Sequence, residues 1–498
     1  MKKSKKVILI IISLILLIGV CAIVYFVINN KPLYEIKNYF GETITNYETN
    51  KMAFVIEKQA DNVEIKVNGQ EYKENQGFYK EGTYEIETTL NGKTKTETIK
   101  INPIDKQNEY NIFLVKETLP ILLSSFDMVK YKDVPSYIFY DRDDTLNIDN
   151  IKAMFTNVTV SEYTGKADIL NNQFSQNIVP EVKEFIKNIL AEDENAYFNV
   201  YVTAEYYWMG LIAVEGLGLS DDRVHTTMYS CGTNDYANCR IEEQGNVYED
   251  YTKEKEDFNN EIDKVKSNLY NEDEDFVYLS TGRGENLEIY PALLNVLREN
   301  VTYYLQYPEL LQIENAQIKS ELDNANIEKI VLRDEFNNLT EEQKQDLYKC
   351  IGINKAEFDE KYFNETGKDY LIITGTKPFY AGFTQEEFEN IIEQIVNKYG
   401  EEYKILYKPH PMALPDENAE EYLNSMNIEV LPGRMPLEAI TFVYDNLKLG
   451  GFASSLYMNI DSGNTLFFIS RSKEDLVTPL DTLYDELFSD AEFIQPNI

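Results

Sequence analysis

Basic residues are in short supply. Against 85 Asp and Glu, the 498-residue chain carries only 47 Lys and Arg, a formal charge of −38. Outside the first six residues the cations form no cluster. Nucleic-acid binding depends on clustered Lys and Arg that release counterions from the phosphate backbone, so the composition argues against such a partner. Any anionic ligand must be held by donors concentrated locally against an unfavourable overall field. Histidine occurs twice and tryptophan once, and the four cysteines show no metal-binding spacing, so no metal cofactor is expected. Cys231 and Cys239 flank an Asn/Asp/Gly-rich turn and read either as a bridge formed in an oxidising compartment or as separate buried thiols. Cys350 is isolated, and Cys21 falls within an apolar run.

What is present is enough for packed interiors: 43% hydrophobic and 13% aromatic residues, in a length that suggests two or three domains. Val7 to Ile28 carries no charge over 22 residues, long enough at about 1.5 Å per residue to cross a hydrocarbon core of about 30 Å. It reads as a bilayer anchor, with a cleaved signal peptide as the rival. Lys2, Lys3, Lys5 and Lys6 precede it, which keeps the N-terminus cytoplasmic and exports the globular part to the cell surface or a lumen. Residues 1–30 are therefore expected to be a Lys-rich tip and transmembrane anchor.

Residues 31–105 show period-two alternation interrupted by Asn68-Gly69 and Asn91-Gly92. Asn-Gly between alternating runs marks hairpins, because both turn residues accept positive φ. A small β-sandwich similar to immunoglobulin-like modules is expected here. Beyond it, apolar runs at 111–115, 137–140, 157–163, 198–206 and 225–230 alternate with helical stretches such as 179–190. After a helical stretch around 254–269, the rhythm resumes at 275–280, 329–333, 369–375, 403–408, 428–431 and 447–451. Alternation of this kind predicts α/β architecture with parallel sheets. We divide it into an acceptor-side lobe, 106–275, and a second lobe, 276–498, that ends in a helical segment. Two facing Rossmann-like lobes imply a cleft, with the chemistry on loops that follow strands.

At those strand ends lie the candidate residues. His410 follows the 403–408 strand and is held between Pro409 and Pro411. Gly450-Gly451 and then Ser454-Ser455 follow the 447–451 strand; glycines permit close backbone approach, and serines opening a helix offer hydroxyls to an anion. Between them, Glu438 falls in the first turn of a helix opened by Pro436, placed to accept hydrogen bonds from a ribose diol.

The order YKPHP (407–411), PLEAI (436–440) and LGGFASSLYMNI (449–460) resembles the bacterial sialyltransferases of the Pasteurella and Photobacterium type. NNLTEEQKQDLYKCIGI (337–353) and DYLIITGTKPFYAG (369–382) extend the resemblance, and weaker similarity reaches back to about Glu109. The family implies a glycosyltransferase-B fold and transfer of sialic acid from CMP-sialic acid to a glycan acceptor without a metal. It also implies roles: His410 on the donor phosphate, Ser454 and Ser455 holding that phosphate, and Glu438 on the ribose. Lys408, Gly451 and the Thr374-Gly375-Thr376 turn would complete the donor site. Phe379 occupies the family's acceptor-stacking tryptophan position, and Tyr206 is a second expected acceptor contact.

Two departures stand out. The family's Tyr-Asp-Asp-Gly, whose second aspartate is the general base, is matched here by Tyr229-Ser230-Cys231-Gly232. Asp235 is taken as the replacement base, with Glu205 as the other carboxylate in reach. Met412 stands where the family often has arginine. The expected function is a membrane-anchored inverting glycosyltransferase. Its rival is a surface protein that keeps nucleotide or glycan binding on the same scaffold without turnover, and a structural surface protein with no ligand comes third.

Overall fold

A computed structural model describes residues 32–45, 51–142, 145–164, 173–239, 251–271, 291–313, 315–364, 367–444 and 446–497. The expected anchor at 7–28 and the expected strand at 275–280 lie outside the described residues. Among the described residues, no helix is long and apolar enough to cross a membrane.

The chain divides into two compact units. One comprises Met1–Pro103 with Ser267–Leu269, and the other Ile104–Lys266 with Tyr270–Ile498. In the first unit, strands β1 (Tyr34–Asn38), β2 (Phe54–Lys58) and β5 (Gly77–Phe78) form one antiparallel sheet. A second is built from β3 (Glu64–Val67), β4 (Gln70–Glu71), β6 (Gly82–Leu90) and β7 (Lys93–Ile101). Asn68-Gly69 and Asn91-Gly92 join β3 to β4 and β6 to β7 with φ of 51° and 79°, and of 51° and 75°, the positive pair that a tight hairpin requires. The alternating residues Ile36, Phe54, Ile56, Ile65, Ile86 and Ile99 form its core.

The second unit holds two all-parallel sheets. The first runs β10 (Val158–Val160), β9 (Ser136–Tyr140), β8 (Glu109–Val115), β11 (Tyr197–Thr203), β12 (Val224–Tyr229), β13 (Val301–Leu305) and β14 (Ile327–Lys329). The other runs β17 (Glu429–Val430), β16 (Tyr403–Lys408), β15 (Asp369–Thr374), β18 (Lys448–Gly451), β19 (Thr465–Ile469) and β20 (Glu492–Ile494). Strands such as β9 and β16 are buried at every residue, which is why they read as unbroken apolar runs instead of alternating ones.

This topology moves the lobe boundary expected at 275/276. β13 pairs parallel to β12 and β14 to β13, so both belong to the first sheet, and the 329–333 run contributes only the end of β14. Helices Leu332–Asn338 and Glu341–Cys350 also pack against Thr118–Lys130 of the first lobe. The second lobe therefore begins near β15. A parallel edge strand is recognised by its pairing partner, and period alone does not reveal that.

In both sheets the strand order reverses beside the first strand: between β8 and β11 in one lobe, and between β15 and β18 in the other. Adjacent crossovers leave in opposite directions at such a point and open a crevice at the carboxyl ends of the strands. In the second lobe the two strands approach very closely. Gly451 has φ of 131°, and a Cβ there would lie 2.5 Å from the Thr374 backbone nitrogen, carbonyl oxygen and hydroxyl. Gly451→Ala combines a backbone conformation that L residues avoid with overlap against rigid main chain. It is expected to cost at least about 2 kcal/mol, read as a lower urea midpoint at unchanged slope.

Candidate active site in the interlobe cleft

The two crevices face one cleft of about 410 Å³, within the range of small-ligand sites. Its second-lobe wall includes Thr374, Gly375, Thr376 and Lys377 after β15, Lys408 and His410 at the end of β16, Glu438, and Ser454 and Ser455 after β18. These residues are stitched together by backbone. The Gly375 N–H donates to Lys408 O at 2.8 Å, and a Cβ at Gly375 would lie 2.7 Å from Tyr407 Oη and 3.1 Å from His410 N, so a side chain there would crowd the histidine loop. The Thr374 hydroxyl lies 3.2 Å from Gly450 O, 3.0 Å from Phe452 O and 2.9 Å from Tyr457 Oη.

His410 is half-buried, and its Nδ1 accepts the Met412 N–H at 3.1 Å, which leaves Nε2 to carry the proton of the neutral ring. Burial pushes its pKa down to about 4, helped by the positive charges of Lys408, Lys377 and Arg142. At neutral pH His410 is thus an uncharged hydrogen-bond donor. Lys408 is buried, and its pKa is lowered to about 8 by that burial, against the pull of Glu438. Its Nζ donates to Pro409 O at 2.9 Å and Gly433 O at 2.6 Å, so it clamps the histidine loop. Burial raises the Glu438 carboxyl, with its own backbone N–H and Lys408 opposing.

The first-lobe wall carries Glu117, Thr118, Leu119, Arg142, Cys231, Thr233 and Asn234. Glu117 follows β8 and Glu205 follows β11, the two strands flanking the reversal. Their ends are tied: Thr203 Oγ1 accepts the Lys116 N–H and donates to Lys116 O, both at 2.8 Å. The Glu117 N–H donates to Asp141 Oδ1 at 2.7 Å. Pinned in this way, Glu117 adopts φ 67°, ψ 153°, a region that a side chain rarely enters and that persists where surrounding structure imposes it. Burial pushes the Glu117 pKa up to about 7, aided by Glu205, Asp141 and Asp235 and opposed by Arg142. Glu117, Glu205 and Cys231 bring one donor atom each within 4.8 Å of one another. Burial, with Asp235 and the two glutamates, holds the Cys231 thiol well above its ordinary pKa.

No family model matches this sequence, and no curated protein matches it. Solved structures do. The α/β-galactoside α-2,3-sialyltransferase of Photobacterium phosphoreum superposes with a TM-score of 0.54 at 15% identity, over 78% of this chain and 99% of that one. A 2,6-sialyltransferase of Photobacterium sp. JT-ISH-224, solved with CMP and lactose, gives 0.56 at 15% identity, over 88% and 86%. The glycosyltransferase-B domain of the Photobacterium damselae sialyltransferase gives 0.53 at 16% identity over 77% and 99%. The fold is glycosyltransferase-B. At such identities the likeness extends to the fold and stops there.

In this GT-B frame the residues expected on the second lobe converge. His410, Lys408, Glu438, Ser454, Ser455, Thr374, Gly375 and Thr376 all line the cleft, while Gly451 shapes it from behind. The serines open only a four-residue 3-10 turn, Ser455–Met458, so hydroxyls and not a helix dipole are what they offer. Gly232 of the first lobe, at φ 85°, packs so tightly on Ser455 that a Cβ would fall 2.3 Å from the serine Cβ.

The first-lobe expectations fare differently. Asp235 is fully buried in helix Thr233–Cys239, where its carboxylate accepts the Cys231 N–H at 2.8 Å. It braces the loop and does not line the cleft. Cys231, Cys239 and Cys350 are free, buried thiols, so the bridge is not formed. Phe379 packs on the second-lobe core, 5.2 Å from Phe388 and 5.8 Å from Tyr407, and is not part of the cleft wall. Tyr206 is likewise not in that wall and lies under Lys116 Nζ, 4.2 Å from the ring centroid. Trp208 is buried against Phe174. Sequence reasoning missed Glu117 and Arg142, whose Nη1 lies 2.8 Å from the Met412 sulfur and so brings a cation from the opposite lobe to the position where the family often has arginine. Both follow apolar strands directly, and applying the strand-end rule to β8 and β9 would have found them.

Because Glu117 titrates near 7 in the fold and near 4.3 in an unfolded chain, its charge opposes folding. The penalty is absent below about pH 4, grows as pH rises and is complete above about 7. Glu117→Gln is therefore expected to match the parent in stability at pH 4 and exceed it by roughly 3–4 kcal/mol at pH 8. Urea unfolding at the two pH values measures the difference.

Proposed function

We propose that the protein is an inverting glycosyltransferase. It transfers a sialic-acid-type sugar from a nucleoside-monophosphate donor of the CMP-sialic acid kind to a hydroxyl of a glycan acceptor. The observation that carries this reading is the convergence of His410, Glu438, Ser454 and Ser455 from three separate loops onto one cleft in a GT-B fold. The resemblance in motif order noted from the sequence falls on these same residues. A similar fold was solved with CMP and lactose, which supports a nucleotide sugar and a galactoside-type glycan as the ligand pair.

Breaking the bond between the anomeric carbon and the phosphate oxygen produces an oxocarbenium-like sugar and a phosphate gaining negative charge. Donors fixed at that phosphate stabilise the transition state more than the ground state. His410 supplies Nε2–H as a neutral donor, and the serine hydroxyls supply two more. Lys377 and Arg142 provide positive charge in the same cleft. Glu438 accepts from the ribose diol. No protein side chain need be displaced from the sugar, so a single in-line displacement inverts the anomeric centre. In this reading the chemistry uses no metal, and the catalytic unit is tethered to a bilayer through residues 7–28, with the bulk of the chain exported. The rival reading of a non-catalytic binder rests on the Ser230-Cys231 replacement of the family's aspartates and on the β module; a Cys231–Cys239 bridge does not add to it, since both thiols are free.

Purified full-length protein mixed with CMP-sialic acid and lactose is expected to form sialylated lactose. His410→Ala should lower kcat by about 10²–10³-fold, the range for loss of one such donor. No product and no heat on titration with CMP would refute the reading. Deletion of residues 1–30 should move the protein from the membrane to the soluble fraction of fractionated cells, and an unchanged distribution would refute the tether.

A further inference from the structure

Inverting transfer requires a group that takes the proton of the acceptor hydroxyl, and the loop expected to supply it cannot. Ser230-Cys231 offers an alcohol and a thiol, the latter held protonated by its buried, acidic surroundings. Asp235 spends its carboxylate on the Cys231 N–H.

We propose that Glu117 is the general base, placed at the end of β8 instead of in the loop after β12; this rests on the glycosyltransferase reading above. Four observations carry it. Glu117 lines the same cleft as His410, on the opposing lobe, which is where an acceptor must lie for attack opposite the departing phosphate. It stands at the strand-order reversal of its sheet, facing the reversal of the other sheet. One of its carboxylate oxygens lies within 4.8 Å of the Cys231 sulfur, so it reaches the spot that the missing aspartate would have served. Its backbone is held in a conformation that side chains rarely adopt, pinned through Asp141 and through the Lys116–Thr203 tie, as is typical where surrounding structure fixes a functional group.

The groups facing Glu117 explain its tuning. Glu205 from the end of β11, Asp141 from the end of β9 and Asp235 from helix Thr233–Cys239 favour its protonated form, and Arg142 opposes them. Lys116 and Tyr206 stand beside it, and Lys377, Lys408 and neutral His410 lie on the facing wall. A base titrating near 7 suits proton transfer at neutral pH. In the step itself, the acceptor O–H proton passes to the Glu117 carboxylate as its oxygen bonds to the anomeric carbon. The carbon–phosphate-oxygen bond breaks, and its electron pair leaves with the nucleoside monophosphate. Glu117 then releases its proton to water. Glu205 is a positioning residue in this scheme, acting through its charge on Glu117.

The test uses the full chain, CMP-sialic acid and lactose. Glu117→Gln is expected to lower kcat by about 10²–10⁴-fold, with the affinity for CMP by calorimetry unchanged. Glu117→Asp should recover part of the rate. In the parent, kcat/KM should rise with pH through a limb near 7, and Glu205→Gln should shift that limb to lower pH by removing the neighbouring negative charge. A merely structural Glu117 would not move the limb. If the parent turns over and Glu117→Gln keeps its kcat, or if Glu205→Gln leaves the limb in place, the assignment is overturned while the glycosyltransferase reading stands. If the parent forms no product, both fail. Turnover abolished by EDTA and restored by a divalent ion would make Glu117, Glu205 and Cys231 ligands, and would overturn the assignment too.

Discussion

The tight approach of β18 to β15 is the constraint on which the site depends. With no side chain at Gly451, its backbone rests against Thr374, and the threonine hydroxyl gathers Gly450, Phe452 and Tyr457 around it. The chain leaving β18 then has one exit, and it delivers Ser454 and Ser455 to the cleft. Gly375 does the same for the histidine loop, since the backbone at Pro409 and His410 lies against its Cα. In the first lobe the equivalent stitch is the Thr203 hydroxyl on the Lys116 peptide, and it fixes Glu117. A functional side chain placed by main-chain contacts loses little further entropy when a ligand arrives, which is what preorganisation means physically.

The two lobes divide the electrostatic work. Acidic groups gather at the ends of β8 and β11, while Lys377 and Lys408 of the second lobe, joined by Arg142 from the first, add to the burial that depresses His410. Those cations meet in a chain of net charge −38. A small cationic patch thus stands opposite an acidic one, and burial together with that acidic cluster keeps the Glu117 carboxyl titrating near neutrality. Like charges on Glu117 and Glu205 are costly for folding, and that cost is accepted at the one place where a tuned acid is useful.

Much of this was legible in the sequence, for identifiable reasons. Buried parallel strands announce themselves as apolar runs, so β8, β9, β15 and β16 were located from sequence, and Asn-Gly pairs marked the hairpins of the first unit. His410, Glu438 and the serines stood out because they directly follow such runs or open helices. Val301–Leu305, which forms β13, was not among the expected strands, and the pairing of β14 was not legible, so the lobe boundary was misplaced. Glu117 was within reach of the strand-end rule, but the weight of its position was not legible. Its importance comes from β8 and β11 flanking a reversal of order, a property of the assembled sheet. Asp235 shows the converse, since a polar turn in sequence gave no sign that its carboxylate would be buried on a backbone amide. Phe379 was misjudged because an aromatic after a strand can turn to the core as readily as to a ligand.

The central claim is that His410 and the serine hydroxyls grip one phosphate. A chain with only two histidines lets NMR test this with little ambiguity. In the free protein the His410 imidazole should titrate near pH 4, well below its ordinary value. With CMP bound, the phosphate should draw that midpoint upward by at least about one unit, while His225, on β12 and near Thr302, stays where it was. A His410 titration indifferent to saturating, calorimetrically verified CMP would contradict the account.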